Sequence, residues 1–315
     1  MSVPDLPMLT LAHSPDSDDL VMWWPLVGVT DARGQPLEGN LGKPAIDTGG
    51  FRFDLLAEDV QALNRRAIER GDLDITAISA HAYPHLSDRY RITSCGGSFG
   101  EGYGPKLVAK RDDGPASLSD LAGKRLAVPG VHTTAYLTLQ LLAHEAGVSP
   151  DAIQAVERPF EEVAGAVASG EADAGLLIHE AQLTIARDAE LGVVLDLGAA
   201  WQEARGLPLP LGLNVIKRDL DDRYGPGSCA RVSAILSASV EHAVTNPDTS
   251  KLLLRKRAHE RPEWNDDALV DKYLSMYVSD LTRDMGEAGT GALEALLGEG
   301  ARLGLCPHPG PIDLV

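Results

Sequence analysis

The sequence is short of cysteine. Its three, Cys95, Cys229 and Cys306, are too few and too widely spaced for a disulfide framework or a zinc site. They read as small buried thiols. Positive charge is scarce as well: 28 Lys and Arg stand against 46 Asp and Glu, a formal net charge of -18. Such a chain repels nucleic acid and anionic membrane surfaces, so neither is an expected partner. An anionic ligand would need a locally positive or neutral pocket. No apolar run is long enough to span a bilayer. Residues 1–13 lack the basic start and apolar stretch of a secretory signal, so cytoplasmic residence is the expectation.

Several catalytic signatures are also missing. There is no P-loop and no G-x-G-x-x-G nucleotide fingerprint. Three His-Glu pairs begin at His144, His179 and His259, but the fifth positions are Val148, Leu183 and Glu263, so the zinc-protease pattern is absent. Gly96-Gly97-Ser98-Phe99-Gly100 matches a nucleophile elbow in letters only. That elbow leads into a helix, whereas here a further Gly-rich turn and a strand follow. Asp16, Asp18 and Asp19 could hold magnesium, but helix capping and dipole complementarity explain them more cheaply.

What is present is a globular composition, 44% hydrophobic and 23% charged over 315 residues, enough for two lobes. Short apolar runs at 9–12, 51–56, 74–78, 90–94, 106–110, 124–128, 152–156, 172–178, 193–197 and 211–218 read as strands. Helical patterns lie between many of them, notably at 20–27, 60–69, 133–145 and 160–168. This alternation predicts parallel α/β sheets. Residues 30–50 show no period and read as a surface excursion. From about 229 onward the pattern is helical, and the Pro-rich stretch 306–315 is expected to run over the surface. The order suits a two-lobed α/β fold with crossover strands near 106–110 and 213–217. Lobe I then comprises 1–107 and 216–315, and lobe II comprises 108–215.

In open α/β sheets, ligands gather at the carboxyl ends of the strands. That rule selects His13 with Ser14, Ser79, the stretch from Pro129 to Thr134, and His179 with Glu180. Gly130 permits close backbone approach. Thr133 and Thr134 stand at a helix start, where hydroxyls, free N–H groups and the dipole favour a carboxylate or phosphate. Taken alone, these threonines are better explained as caps of their own helix. His179 ends a buried apolar strand, where its pKa can be tuned for proton transfer; a hydrogen-bonded hinge histidine fits equally well. His13, His81, His85 and His132 read as structural, and His242, His259 and His308 as surface residues.

Three motifs in order, Val128-Pro129-Gly130-Val131-His132-Thr133-Thr134-Ala135-Tyr136, Gly175-Leu176-Leu177-Ile178-His179-Glu180 and Leu207-Pro208-Leu209-Pro210-Leu211-Gly212, resemble the 1,4-dihydroxy-6-naphthoate synthase family of the futalosine route to menaquinone. The resemblance runs from about Leu9 to beyond Asp284. It implies a fold like the type II periplasmic binding proteins and a cofactor-free, metal-free lyase. The substrate would be cyclic dehypoxanthinylfutalosine, a small carboxylate. By the same resemblance His179 is the general base, and substrate contacts fall on Ala77, Ile78 and Ser79 and on Thr133 with Thr134. The family opens with a Ser-Pro-Cys-Pro-Asn-Asp pattern. Here Ser14-Pro15-Asp16-Ser17-Asp18-Asp19 adds acid at the mouth of an anion site. Competing expectations are the sibling chorismate dehydratase and a noncatalytic binding protein for a small carboxylate.

Overall fold

The computed structural model describes residues 6–315 apart from 32, 180, 186–187, 189 and 260. Its strands are β1 (Met8–His13), β2 (Arg52–Ala57), β3 (Ile75–Ser79), β4 (Tyr90–Ile92), β5 (Ser98–Gly100), β6 (Lys106–Lys110), β7 (Arg125–Val128), β8 (Gln154–Glu157), β9 (Ala174–Leu177), β10 (Leu191–Asp196) and β11 (Leu209–Lys217). They form two sheets. The first has the order β2-β1-β3-β11-β4, with β5 also on β11; the second has the order β10-β6-β9-β7-β8. The chain enters the second sheet at β6 and returns to the first with β11. β1 is parallel to β2 and β3, and β7 is parallel to β8 and β9. β11 and β6 run antiparallel to their neighbours.

Three helices carry the cleft. α1 (Ser17–Val27) is buried along almost its whole length, so its Trp23 is fully enclosed beside β1 and the helix Ser228–Thr245. Burying a side chain of that size contributes roughly 2–3 kcal/mol. Gly28 ends the helix at φ +91° and donates its N–H to the Trp24 carbonyl. α2 (Val60–Glu69) starts at Asp59, whose carboxylate accepts from the Gln61 and Ala62 N–H groups. α3 (Thr134–Glu145) starts at Thr133, whose Oγ1 accepts from the Tyr136 N–H.

Three local expectations are corrected. The Gly-rich turn contains a strand, β5, because β11 is long enough to offer it an edge. The segment 306–315 does not simply cross the surface. Leu314 bridges to Ile92, Val315 N–H donates to the Ile92 carbonyl, Ile92 N–H donates to the Asp313 carbonyl, and the Asp313 side chain pairs with Arg91 and Arg218, so the tail closes an edge of the first sheet. His242 is half-buried, edge-on to Trp24 at 5.4 Å. Residues 30–50 are mostly exposed and irregular, as the lack of period predicts.

Candidate functional site

Ser14, Ala77, Ile78, Ser79, Thr133, Thr134 and His179 line one cavity between the two sheets. It encloses about 730 Å³ of empty space, its open mouth included. The placement follows from topology. The ends of β1 and β3 supply Ser14 and Ser79 from the first sheet, while β7 and β9 lead to Thr133 and His179 from the second.

Both threonine hydroxyls are engaged within the protein. Thr133 Oγ1 donates to the Gly130 carbonyl at 2.7 Å and accepts from Tyr136 N–H. Thr134 Oγ1 donates to the Leu211 carbonyl at 2.8 Å and accepts from His81 N–H. The capping reading of Thr133 therefore holds. What the helix start offers a ligand is backbone: the N–H groups of Thr134 and Ala135 have no carbonyl a turn earlier within α3, and both residues line the cavity. Ser79 is fixed from behind, its N–H donating to Asn64 Oδ1 and its Oγ accepting from Asn64 Nδ2. Ser14 turns its hydroxyl to Asp16 Oδ2 at 2.8 Å.

His179 has φ +55°, the one positive value for a non-glycine among the described residues. A backbone held there costs on the order of 1 kcal/mol and persists only where the surroundings enforce it. The enforcement is visible: His179 Nδ1 lies 2.7 Å from Asp16 Oδ2, and the ring stands edge-on to Phe160 at 4.9 Å. Asp16 is fully buried. Burial alone would raise its pKa, but the facing His179, then Arg261 and the Ser14 hydroxyl, outweigh this and lower it to about 2. Asp19, buried beside it, is instead pushed up, mainly by desolvation. The acidic opening thus brings less negative charge to the cavity than its letters suggest: one carboxylate is paired with Arg261 and faces His179, and another is biased towards its neutral form.

Other lining residues lie outside the positions that the strand-end rule selects. Asn214 on β11 donates to the Gly96 carbonyl at 2.7 Å, while its buried Oδ1 has no partner among the described residues. Tyr273 reaches in from the helix Asp267–Tyr277 and donates to Asp18 Oδ1 at 3.2 Å. Gly96, Ser98, Asp18 and Gln182 complete this wall. These positions become neighbours only through long-range packing. Among the described residues no cluster of His, Cys, Asp and Glu is suited to a metal ion.

Two α/β halves with a cavity between their strand ends define a two-lobed protein of the type II periplasmic-binding-protein fold. The same architecture is seen in the alkanesulfonate-binding protein of Xanthomonas axonopodis pv. citri bound to MOPS, with a TM-score of 0.67 at 13% identity over 98% of both chains. The chain belongs to the menaquinone biosynthesis family, whose model matches residues 9–302. It is 37% identical over 305 residues to the 1,4-dihydroxy-6-naphtoate synthase of Thermus thermophilus, covering 96% of this chain and 98% of that protein. It is 35% identical over 264 residues to the enzyme of the same name from Streptomyces coelicolor, covering 84% and 88%. A crystal structure of a protein from Archaeoglobus fulgidus superposes with a TM-score of 0.73 at 37% identity, covering 95% and 98%. Among the described residues no helix is long and apolar enough to cross a membrane.

Proposed function

We propose that this chain is a cytoplasmic lyase that converts cyclic dehypoxanthinylfutalosine into 1,4-dihydroxy-6-naphthoate and a sugar-derived fragment. His179 is the general base, and no cofactor or metal takes part. One observation carries the reading: His179 shares a single cavity with the helix start at Thr133 and Thr134 and with Ser79. The substrate carboxylate docks on the Thr134 and Ala135 N–H groups, where the α3 dipole favours negative charge. The Ser79 hydroxyl adds a donor. His179 takes the proton whose loss triggers elimination, and aromatisation of the new ring drives the step. The protein's share of the work is then to place the base and exclude water between the lobes.

The test is incubation of the purified chain with cyclic dehypoxanthinylfutalosine, following the naphthoate absorbance, with chorismate as the parallel substrate. Turnover of the first substrate and not the second is expected. A positioned general base is worth on the order of 10²–10⁴ in rate, so His179→Gln should lose turnover on that scale while still binding substrate. Near wild-type turnover by the variant removes His179 from the mechanism. Recovery of the substrate unchanged from the wild-type protein makes the chain a binding protein.

A further inference from the structure

Asp16, His179, Phe160 and Arg261 form a closed circuit of contacts. Arg261 Nη2 meets Asp16 Oδ1 at 2.9 Å, and Asp16 Oδ2 meets His179 Nδ1 at 2.7 Å. The His179 ring stands against Phe160, and the Arg261 guanidinium lies over that same ring at 5.4 Å. The members come from distant segments. Asp16 follows β1 of the first sheet, His179 follows β9 of the second, Phe160 follows β8, and Arg261 lies beyond the helix Pro247–Lys256. The needs of α1 do not explain this. Asp16 occupies its N-cap position, yet the carboxylate makes no capping bond and points across to the other sheet's histidine.

We propose that Asp16 is the positioning residue for His179, an inference that rests on His179 being the base. Oδ1 is held by charge, in an ion pair with Arg261 without a hydrogen bond, and Oδ2 faces the Ser14 hydroxyl and His179. An ionised carboxylate only accepts hydrogen bonds. It therefore holds the neutral imidazole in the tautomer with its proton on Nδ1, making Nε2 the basic nitrogen. When Nε2 takes the substrate's proton, the Nδ1 proton stays where it is, and the new imidazolium is opposed by the adjacent carboxylate. Because each half of the protein supplies one partner, the base is complete only when the halves stand as they do here.

The critical variant is Asp16→Asn. Arg261 is a pure donor, so it holds the amide oxygen and leaves the amide NH₂ facing Nδ1. That arrangement selects the wrong tautomer. kcat should fall on the order of a hundredfold or more, with KM changed only a few-fold. The acid limb of the pH–kcat profile should move to lower pH, because the anion that favoured the imidazolium is gone. Adding Arg261→Met lets the amide turn its oxygen to His179, so the double variant should recover at least tenfold in kcat. Nitrogen chemical shifts of ¹⁵N-histidine-labelled wild-type protein, assigned by their loss in His179→Gln, should show the Nδ1–H tautomer above the acid limb. The inference is overturned by an Asp16→Asn enzyme with unchanged kcat and acid limb, or by an Nε2–H tautomer in the wild type. If Asp16→Asn does not fold, the tautomer measurement decides. Full activity of His179→Gln would instead remove the underlying base assignment.

Discussion

Gln61 donates from Nε2 to Glu157 Oε1 at 3.0 Å, tying α2 beside the first sheet to the end of β8 in the second. The same oxygen accepts from Val131 N–H at 2.9 Å, and Arg65 pairs with the other. This bridge holds the rim of the cavity next to the α3 start. Glu157→Ala removes it without touching a cavity-lining residue. Each such bond contributes about 1 kcal/mol, and the Arg65 pair less because it is solvent-screened. The expected result is a three- to tenfold rise in KM, roughly the effect of 1 kcal/mol, with kcat nearly unchanged, read from initial rates. Gly130→Ala should act the same way, because its Cβ would lie 2.2 Å from Gln61 Cδ and displace that side chain.

Gly96 cannot gain a side chain cheaply. It sits at φ +78°, and a Cβ there would lie 2.7 Å from Asn214 Nδ2 and 2.9 Å from the buried ring of Trp23. Neither neighbour can yield, since Asn214 is bonded to the Gly96 carbonyl and Trp23 is fully enclosed. Strain and overpacking together put the cost of Gly96→Ala at about 2–4 kcal/mol. Urea denaturation should show a lower midpoint with an unchanged slope.

Asn214 offers the cavity an acceptor. Its Oδ1 is buried and unpartnered among the described residues, a condition that costs stability until a donor arrives. A hydroxyl of the bound substrate is the natural donor. Asn214→Leu should raise KM about tenfold, the equivalent of one hydrogen bond to a buried group. A KM within twofold of wild type would show that the ligand does not use this oxygen.

Much of this arrangement was legible beforehand, and the boundary of legibility has a physical cause. Strand ends are local features. The apolar run before His179 and the Pro129-Gly130 turn before Thr133 therefore announced cavity-lining residues from sequence alone, and α2 and the starts of β4 and β6 match their periodic patterns. By sequence Asp16 reads as a helix cap, because Ser and Asp before an apolar run ordinarily are caps. Its partner lies 163 residues away, and no local pattern encodes that pairing. The helix Leu197–Arg205 is marked locally, by the Asp196 cap and by Gly206 at its end, whereas the docking of Asp313 rests on tertiary contacts.

Stability should decline on the acid side well before the carboxylates titrate. His81 is buried behind the α3 start, with Nδ1 facing the Thr133 carbonyl and Nε2 the Leu305 carbonyl, and with His132 and His85 about 6 Å away. Desolvation dominates over those carbonyls and lowers its pKa to about 4. Burial likewise lowers His85 and His132. A histidine whose folded pKa lies below its unfolded value of 6.5 favours folding above 6.5, and that contribution is lost as pH falls from 6.5 towards about 4, because only the unfolded chain takes up the proton. For His81 the loss is on the order of 3 kcal/mol. Asp16 also has a lowered pKa, but its contribution is lost in a later window, between 3.8 and about 2. Urea midpoints measured from pH 7.5 to 4 should therefore fall steadily. His81→Gln should flatten that slope, and an equally steep slope in the variant would assign the acid sensitivity to groups other than His81.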